Sequence, residues 1–340
     1  MLPSVSIIMA VRNADGLVRE KIRHLLTLDY PETLIEILVV SDGSTDETDQ
    51  ILAEERDPRL KAERLPEHRG KAAALNQAIR KARHELLLFI DIRPHLDPGA
   101  LRQLVTNFGD PTVGAVTGEL RLRSGDNDAG SRAVGDLYWR YEQWIRKSES
   151  AIDSAVGVYG GFYAVRRSLA TTLPDGLILD DMLQPMSVVR QGYRVVLDPT
   201  ARVWDTWPKT SRGEFRRKVR TLAGNFQLIR LAPWLLRPSN RVWFQFTSHK
   251  ILRLTAPIFL LFLLACSLAL AGVPSYRWFA LAQIAFYVLG VVGMRSRAGI
   301  LRTIAGPAAA FCLLNAAASV GMWQFLVNGH QLKNIWVPSE

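Results

Sequence analysis

Three long uncharged stretches near the C-terminus place the strongest limit on how this chain can fold. The first, residues 254–273, is twenty mostly apolar residues, which as a helix are long enough to cross the hydrocarbon core of a bilayer. Two more uncharged runs follow at residues 278–294 and 303–327. Because a soluble core rarely contains three such runs in succession, we expect about three transmembrane helices and then a short tail at residues 328–340.

The positive charge of the chain lies directly before the first stretch. The 340 residues have a formal net charge of +10, and segment 209–253 contains eleven Lys or Arg but a single acid, Glu214. Basic residues beside a membrane span contact anionic headgroups and mark the cytoplasmic side. We therefore expect membrane lipids, and no nucleic acid, as a partner. Residues 229–253 mix aromatic and arginine side chains. This mixture is typical of an amphipathic helix that lies in the headgroup region, so we predict a basic interfacial segment here.

The N-terminal sequence indicates that the domain before the three predicted spans stays in the cytoplasm. The apolar run at residues 4–11 has no basic region before it and charged residues directly after it, unlike a signal peptide. We predict a multi-pass protein of the inner (plasma) membrane with a cytoplasmic domain at residues 1–228. The side of the C-terminus stays open: three full spans place it outside, whereas a re-entrant hairpin around Pro307 returns it to the cytoplasm.

The N-terminal domain alternates short apolar strands with helices. Strands are predicted at residues 4–11, 35–40 and 85–90, with helical spacing between them. This order is typical of an α/β fold, with a mostly parallel sheet and helices on both faces. Ligands of such sheets bind beyond the carboxyl ends of the strands, and two of those ends carry acids, Asp42 and Asp91.

Several short pieces of sequence, in a fixed order, resemble one family. They are SVSIIMAVRN, EILVVSDGSTDET, RGKAAALNQAI, LLLFIDIRP, VGVYGGFYAVRRS, ILDDMLQPMSVVRQGYRVV and EFRRKVRTLAGNFQ. Together they are similar to inverting, family-two glycosyltransferases with the GT-A fold. The trailing spans resemble those of membrane-anchored bacterial exopolysaccharide, cellulose, hyaluronan and poly-N-acetylglucosamine synthases.

The resemblance implies an enzyme that transfers a sugar, with inversion, from a nucleoside diphosphate sugar to a glycan or lipid-linked acceptor. A UDP-sugar is the favoured donor, and the product would be a cell-surface polysaccharide or glycolipid. Three alternatives stay open: a processive polysaccharide synthase, a polyprenyl-phosphate glycosyltransferase, and an inactive nucleotide-binding membrane scaffold. Since three spans are few for a secretion channel, an oligomer or a secretion partner is a further alternative.

The same resemblance assigns roles on the donor side. Asp42, in the family's D-G-S-x-D piece, is expected to bond the base or ribose. Lys71 is expected to bring positive charge near the diphosphate, the alternative being a solvated lysine at a helix start. Asp91 is the first member of the family's D-x-D motif, which binds the ribose and a divalent metal, Mg²⁺ or Mn²⁺. Such a metal acts as a Lewis acid on the leaving group.

The third position of that motif departs from the family, because Arg93 stands where the second aspartate is expected. Two hypotheses follow. Either Asp91 holds the metal with help from His95, Asp180 or water, or the Arg93 guanidinium itself pairs with the diphosphate oxygens. We favour the metal, since the other family pieces are present.

The acceptor side of the reaction falls on Asp180 and Asp181. In the family the second carboxylate of this pair is the general base, so the resemblance implies that Asp181 takes the acceptor proton. Asp180 would orient it or cap a helix that begins at Met182; the alternative is that both acids are only helix caps. The adjacent negative charge raises the pKa of Asp181, which favours a base active near neutral pH.

The last family piece is incomplete. Processive synthases carry Gln-x-x-Arg-Trp where this chain has Arg217, Arg220 and Thr221 at the three defined positions. Arg220 matches the motif, and both arginines are expected to bind the substrate or, alternatively, only to attract the membrane surface. Loss of the Trp removes a stacking platform for a sugar, which favours transfer of one or few sugars over polymerisation.

Overall fold

The computed structural model describes residues 2–123, 129–206, 211–295 and 300–328. Its strands are β1 (Val5–Val11), β2 (Ile35–Asp42), β3 (Leu60–Leu65), β4 (Leu86–Ile90), β5 (His95–Leu96), β6 (Val113–Arg123), β7 (Phe162–Arg166) and β8 (Arg194–Thr206). Its helices are α1 (Asp15–Leu26), α2 (Thr48–Glu54), α3 (Lys71–Lys81), α4 (Ala100–Thr106), α5 (Ala129–Ile152), α6 (Asp180–Arg190), α7 (Ser211–Leu231), α8 (Trp243–Phe246), α9 (Leu252–Ala269), α10 (Pro274–Arg295) and α11 (Ile300–Asn328). The three predicted strands are confirmed as β1, β2 and β4.

The strands form one mixed sheet in the order β3-β2-β1-β4-β7-β6-β8-β5. β1 runs parallel to β2 and β4, β2 to β3, and β6 to β8. β7 is antiparallel to both of its neighbours, and β5 is antiparallel to β8. Because β7 reverses between β4 and β6, the carboxyl ends of β2, β4 and β8 lie at the same edge of the sheet. The predicted α/β class is confirmed.

Helices cover both faces of this sheet. Side chains alternate between the faces along a strand, so Ile8 packs with Leu75 of α3 in one core, whereas Ile7 packs with Ile22 of α1 in the other. β1, β2 and β4 read as nearly continuous apolar runs because both of their faces are buried. The sheet edge that carries the acids is thereby fixed between two packed layers.

Within the part of the chain that the structure describes, three apolar helices are long enough to cross a membrane: Trp243–Ala269, Pro274–Arg295 and Ile304–Val327. Only 17% of the most apolar window of each is buried. Large side chains such as Phe262 and Trp278 are therefore exposed, as suits helices surrounded by lipid. The expectation of about three such helices is confirmed.

The course of α11 decides whether the chain turns back at Pro307, an alternative that the sequence left open. α11 continues through Pro307 to Asn328, so the re-entrant hairpin around that proline is wrong. A proline is tolerated inside such a helix when its surroundings accommodate the lost hydrogen bond. The predicted tail beyond residue 328, and residues 296–299 between α10 and α11, lie outside the described residues.

The segment before α9 differs from a free interfacial helix. It consists of a 3-10 turn at Pro233–Leu236, then α8, then a π-helical turn at Thr247–Ile251 that leads directly into α9. Leu235, Val242 and Phe246 are buried in the core of the N-terminal domain. Several of its apolar side chains thus bind the domain, which interrupts the single amphipathic stripe that the sequence favours.

Helix α7 is packed tightly on two sides. Val219 and Leu222 of α7 form a small core with Ala317 and Ala318 of α11. A β-carbon added to Gly321 of α11 would lie 3.0 Å from the Ala223 backbone nitrogen. α7 therefore lies directly against the third apolar helix.

Candidate active site

Asp42, the last residue of β2, joins two loops at the sheet edge. Its buried carboxylate accepts hydrogen bonds from the backbone N–H groups of Arg69 (2.7 Å) and Gly70 (2.9 Å), and lies 2.7 Å from Nδ1 of His68. Gly43 permits this approach, since its φ is +61° and an added β-carbon would lie 2.5 Å from the His68 nitrogen. Asp42 thus fixes the loop that leads into α3; its contact with a nucleotide stays a prediction.

Lys71, the first residue of α3, connects two acids that lie far apart in the chain. Its ammonium nitrogen is 3.0 Å from Asp91 Oδ1, just after β4, and 3.2 Å from Asp180 Oδ2, at the start of α6. Burial lowers the pKa of Lys71, but Asp180, Asp91 and Asp181 outweigh this effect and raise that pKa above its ordinary value. The lysine therefore stays charged, and the reading of it as a merely solvated side chain is wrong.

The acid pair lies inside α6 rather than before it. α6 begins at Asp180, its N-cap is Leu179, and the cap makes no side-chain hydrogen bond, so the helix start at Met182 and the capping interpretation are wrong. Asp180 is buried, whereas Asp181 is partly exposed. Burial, and then the charge of Asp180, raises the pKa of Asp181 to about 6, against the opposing charges of Lys71 and Arg146. A base with this pKa is ionised at neutral pH and can take up a proton.

Arg93 faces an acid that the sequence did not single out. Its guanidinium lies 3.5 Å from Oδ2 of Asp205 at the end of β8, and the Tyr159 hydroxyl donates to the same oxygen over 3.3 Å. Beneath this turn Lys21 is buried and donates to the Pro94 carbonyl. Burial lowers the pKa of Lys21 to about 7, although Asp91 and Asp205 act in the opposite direction.

Few of the described side chains at this edge of the sheet could bind a metal ion. The ring of His95 lies against that of His24, with 3.7 Å between the ring centroids and an angle of 33° between their planes. Among the described residues there is no group of three His, Cys, Asp or Glu side chains that could hold a metal ion by themselves. The side chain of Asp91, however, is 43% exposed. These side chains fit a cation that is shared with donor phosphates, since Mg²⁺ commonly needs one or two protein carboxylates there.

The arginines of α7 lie near the segment that leads into Asp180 and Asp181. Gly224 of α7 packs on that segment so closely that an added β-carbon would lie 2.8 Å from Leu179 Cγ, and Gln227 accepts a hydrogen bond from the Ile178 N–H (3.0 Å). Arg220 and Arg217 precede this contact by one to two helical turns. Their roles in binding the substrate stay predictions.

The family of this domain follows from its sequence once this geometry is in place. Residues 6–172 match the model of glycosyl transferase family 2. This part of the chain is a family 2 glycosyltransferase domain. The match covers Lys71, the strand that ends in Asp42, and the strand that Asp91 follows.

Curated proteins that are similar to this chain are poly-beta-1,6-N-acetyl-D-glucosamine synthases. That of Staphylococcus aureus (strain MSSA476) is 26% identical over 234 residues, which cover 67% of this chain and 56% of the relative. That of Staphylococcus epidermidis is 27% identical over 230 residues, which cover 66% and 55%. The chain thus spans about half the length of the curated relatives it matches.

Solved structures show the same fold. The mannosyltransferase PcManGT from Pyrobaculum calidifontis, in complex with GDP-Man and Mn²⁺, superposes with a TM-score of 0.72 at 23% identity. The superposition covers 97% of this chain and 88% of the PcManGT chain. Staphylococcus aureus TarS 1-349, in complex with UDP-GlcNAc, gives a TM-score of 0.51 at 15% identity and covers 96% and 92%. The GT-A fold is confirmed by these likenesses.

The structure brings together Lys71, Asp91, Asp180 and Asp181, which the sequence analysis singled out, while their roles stay predictions and other residues of this region were missed. Asp205 is the second-last residue of β8, and the rule about acids at strand ends would have found it had that strand been predicted. Tyr159 and Tyr163 lie in the family piece VGVYGGFYAVRRS, but that piece did not reveal their contacts, which depend on how β7 inserts into the sheet. Lys21 lies on a helix whose buried face reads as apolar apart from it.

Proposed function

We propose that this family 2 glycosyltransferase transfers a sugar, with inversion, from a nucleoside diphosphate donor to a glycan or lipid-linked acceptor. The supporting observation is the contact of Lys71 with both Asp91 and Asp180, beside Asp181. This contact places the acid implicated in donor binding and the base implicated in acceptor activation in one charge cluster. The catalytic domain would face the cytoplasm, where nucleotide sugars are made, with α9 to α11 in the plasma membrane.

The donor side depends on positive charge. A leaving nucleoside diphosphate gains negative charge as its bond to the sugar breaks, so cations fixed beside it stabilise the transition state. Lys71 and Arg93 supply two such charges at the carboxyl ends of the strands. Ion pairs with Asp91, Asp180 and Asp205 hold these two side chains in place.

The acceptor side depends on Asp181. The acceptor hydroxyl oxygen forms a bond to the anomeric carbon while its proton passes to the Asp181 carboxylate. The bond between that carbon and the diphosphate oxygen breaks, and its electron pair leaves with the diphosphate. One displacement of this kind inverts the configuration of the sugar. A pKa of about 6 keeps Asp181 ionised, and so ready to act, at neutral pH.

We infer that a divalent cation, Mg²⁺ or Mn²⁺, binds together with the donor. Asp91 would be its protein carboxylate, and the diphosphate and water would supply the remaining oxygens. When bound, such a cation neutralises charge on the leaving group. The presence of Mn²⁺ with the PcManGT mannosyltransferase supports this proposal.

We propose a UDP-sugar as donor and transfer of one or few sugars per acceptor. The name of the curated relatives and the UDP-GlcNAc of TarS support the nucleotide. Thr221, at the position where processive synthases carry Trp, supports limited transfer. A polymerising synthase is the second candidate, favoured by the name of the relatives. An oligomer or a secretion partner for it stays an untested alternative.

The test is a transfer assay on the detergent-solubilised full chain with radiolabelled UDP-GlcNAc and GDP-Man and a bacterial lipid extract as acceptor source. We expect product with at least one donor, loss of product in Asp181→Asn, and unchanged UDP binding by that variant. Asp29→Asn, a surface change beside Arg102, is the control and should leave the rate unchanged. Absence of transfer with every donor would support the inactive scaffold. Full activity of Asp181→Asn would point to an acceptor that is already anionic, such as a polyprenyl phosphate.

A further inference from the structure

Tyr163 is a fully buried tyrosine whose hydroxyl has no structural partner. It lies on β7 opposite Phe89 of β4, and the two rings stack with 4.6 Å between their centroids and an angle of 3° between their planes. Throughout the described ranges no atom hydrogen-bonds to the Tyr163 hydroxyl. A phenylalanine would therefore fill the same space without the cost of a buried unsatisfied polar group.

One carboxylate oxygen of Asp180 lacks a hydrogen-bond donor among the described residues. Its Oδ2 atom is buried and accepts no hydrogen bond from any described residue, although the Lys71 ammonium is 3.2 Å away as an ion-pair partner. Burial and then the charges of Asp180, Asp181 and Asp91 raise the pKa of Tyr163 well above its ordinary value. The phenol is thus protonated and can only be a donor toward these carboxylates.

Buried polar groups that lack a partner are rare in proteins, and they are frequent where a group works in catalysis or binds ordered water. Here a hydroxyl without a described hydrogen-bond partner and a carboxylate oxygen whose described partner is the Lys71 ammonium belong to one acidic cluster. Lys71 is also the cation that a donor diphosphate would attract. Once a diphosphate draws the Lys71 ammonium toward itself, Asp180 needs another positive or hydrogen-bonding partner to keep its orientation.

We propose that Tyr163 is a positioning residue for the catalytic carboxylates, whose hydroxyl donates to Asp180, directly or through one ordered water, when the donor is bound. This inference rests on the proposed function. The hydrogen bond holds the Asp180 side chain in the first turn of α6, and thereby the neighbouring Asp181 carboxylate in its orientation toward the acceptor. No bond is made or broken at Tyr163 itself.

The variant Tyr163→Phe tests the proposal, because it keeps the ring and the stack on Phe89. We expect kcat to fall about tenfold, the effect of losing one hydrogen bond to a charged group, with the donor KM within about twofold of wild type. The melting temperature should stay the same or rise. Tyr30→Phe is the matched control: its hydroxyl donates to the Pro3 carbonyl, so the change should lower the melting temperature and leave kcat unchanged.

A double-mutant cycle with Asp180→Asn separates positioning from a general packing effect. We expect Tyr163→Phe to have almost no further effect on kcat in the Asp180→Asn background. The melting temperatures of the same four proteins are also measured with saturating UDP, because this measurement does not depend on turnover. Equal losses in both backgrounds, or full activity of Tyr163→Phe beside an active wild type, would overturn this inference alone. A wild type without transfer to any acceptor would overturn the proposed function, and this inference with it.

Discussion

Gly160 lies directly against Asp181, the proposed base: a β-carbon on Gly160 would be 3.0 Å from Asp181 Cβ and 3.1 Å from its Oδ2 oxygen. Real β-carbons rarely approach a neighbour so closely, so a side chain at position 160 requires Asp181 to shift by a few tenths of an ångström. We expect Gly160→Ala to lower kcat about tenfold, since a small displacement of a reacting group is costly. Gly99→Ala is the control, because a β-carbon there meets nothing within 4 Å. Equal rates for the two variants in the transfer assay would show that the base tolerates the shift.

Removal of Lys71 should affect binding and catalysis together. Lys71→Met leaves Asp91 and Asp180 without their shared cation, and uncompensated carboxylates beside a diphosphate repel it. We expect the donor KM to rise at least about tenfold and the melting temperature to fall. Lys71→Arg should rescue only part of the loss, because a planar guanidinium does not reproduce the contact of a compact ammonium with two acids. An unchanged donor KM in Lys71→Met would contradict a role near the diphosphate.

The pKa of Asp181 predicts a pH profile. Since that pKa is about 6, kcat should rise as the pH increases through about 6 and then reach a plateau. In Lys71→Met the midpoint should move to higher pH, because the lysine charge lowers the pKa of Asp181. Initial rates measured between pH 5 and pH 8 in both proteins test this, and a flat profile would exclude Asp181 as the base.

The same pKa has a consequence for stability. Burial raises the pKa of folded Asp181 above the unfolded value of 3.8, so the folded state binds this proton more tightly and loses stability as the pH rises through about 6. Asp181→Asn removes the effect. We expect the inactive variant to melt at a higher temperature than wild type, and by a larger margin at pH 8 than at pH 5. A margin independent of pH would contradict this linkage.

Metal removal decides between the two readings of Arg93. If Asp91 holds a cation shared with the diphosphate, exhaustive chelation should abolish transfer, and Mn²⁺ or Mg²⁺ should restore it. Activity that is unchanged after chelation, together with a strong loss in Arg93→Ala, would assign charge neutralisation to the guanidinium instead. Product formation with and without EDTA is the measurement.

The sequence predicted those parts of the molecule that depend on local pattern. β1, β2 and β4 were recognisable because buried parallel strands read as apolar runs, and the acids after them because ligands of such sheets bind at that end. The start of α6 was misplaced by two residues, within the usual uncertainty of helix ends, and this error produced the capping interpretation of Asp180. The contacts of Asp205 and Tyr163 depend on the insertion of β7 between β4 and β6. No local pattern reveals that pairing.

The position of α7 links the lipid environment to the reaction. Gly224 brings the α7 backbone against the side chains of Leu179 and Ile178, and Gly321 brings the α11 backbone against the backbone of α7, so α7 is closely packed on both sides. A change in the tilt of α11, as bilayers of different thickness impose, must therefore be taken up by α7 and passed to the residues just before Asp180. The turnover rate in nanodiscs should accordingly vary with the acyl-chain length of the lipid, so the activity of the enzyme would depend on membrane thickness.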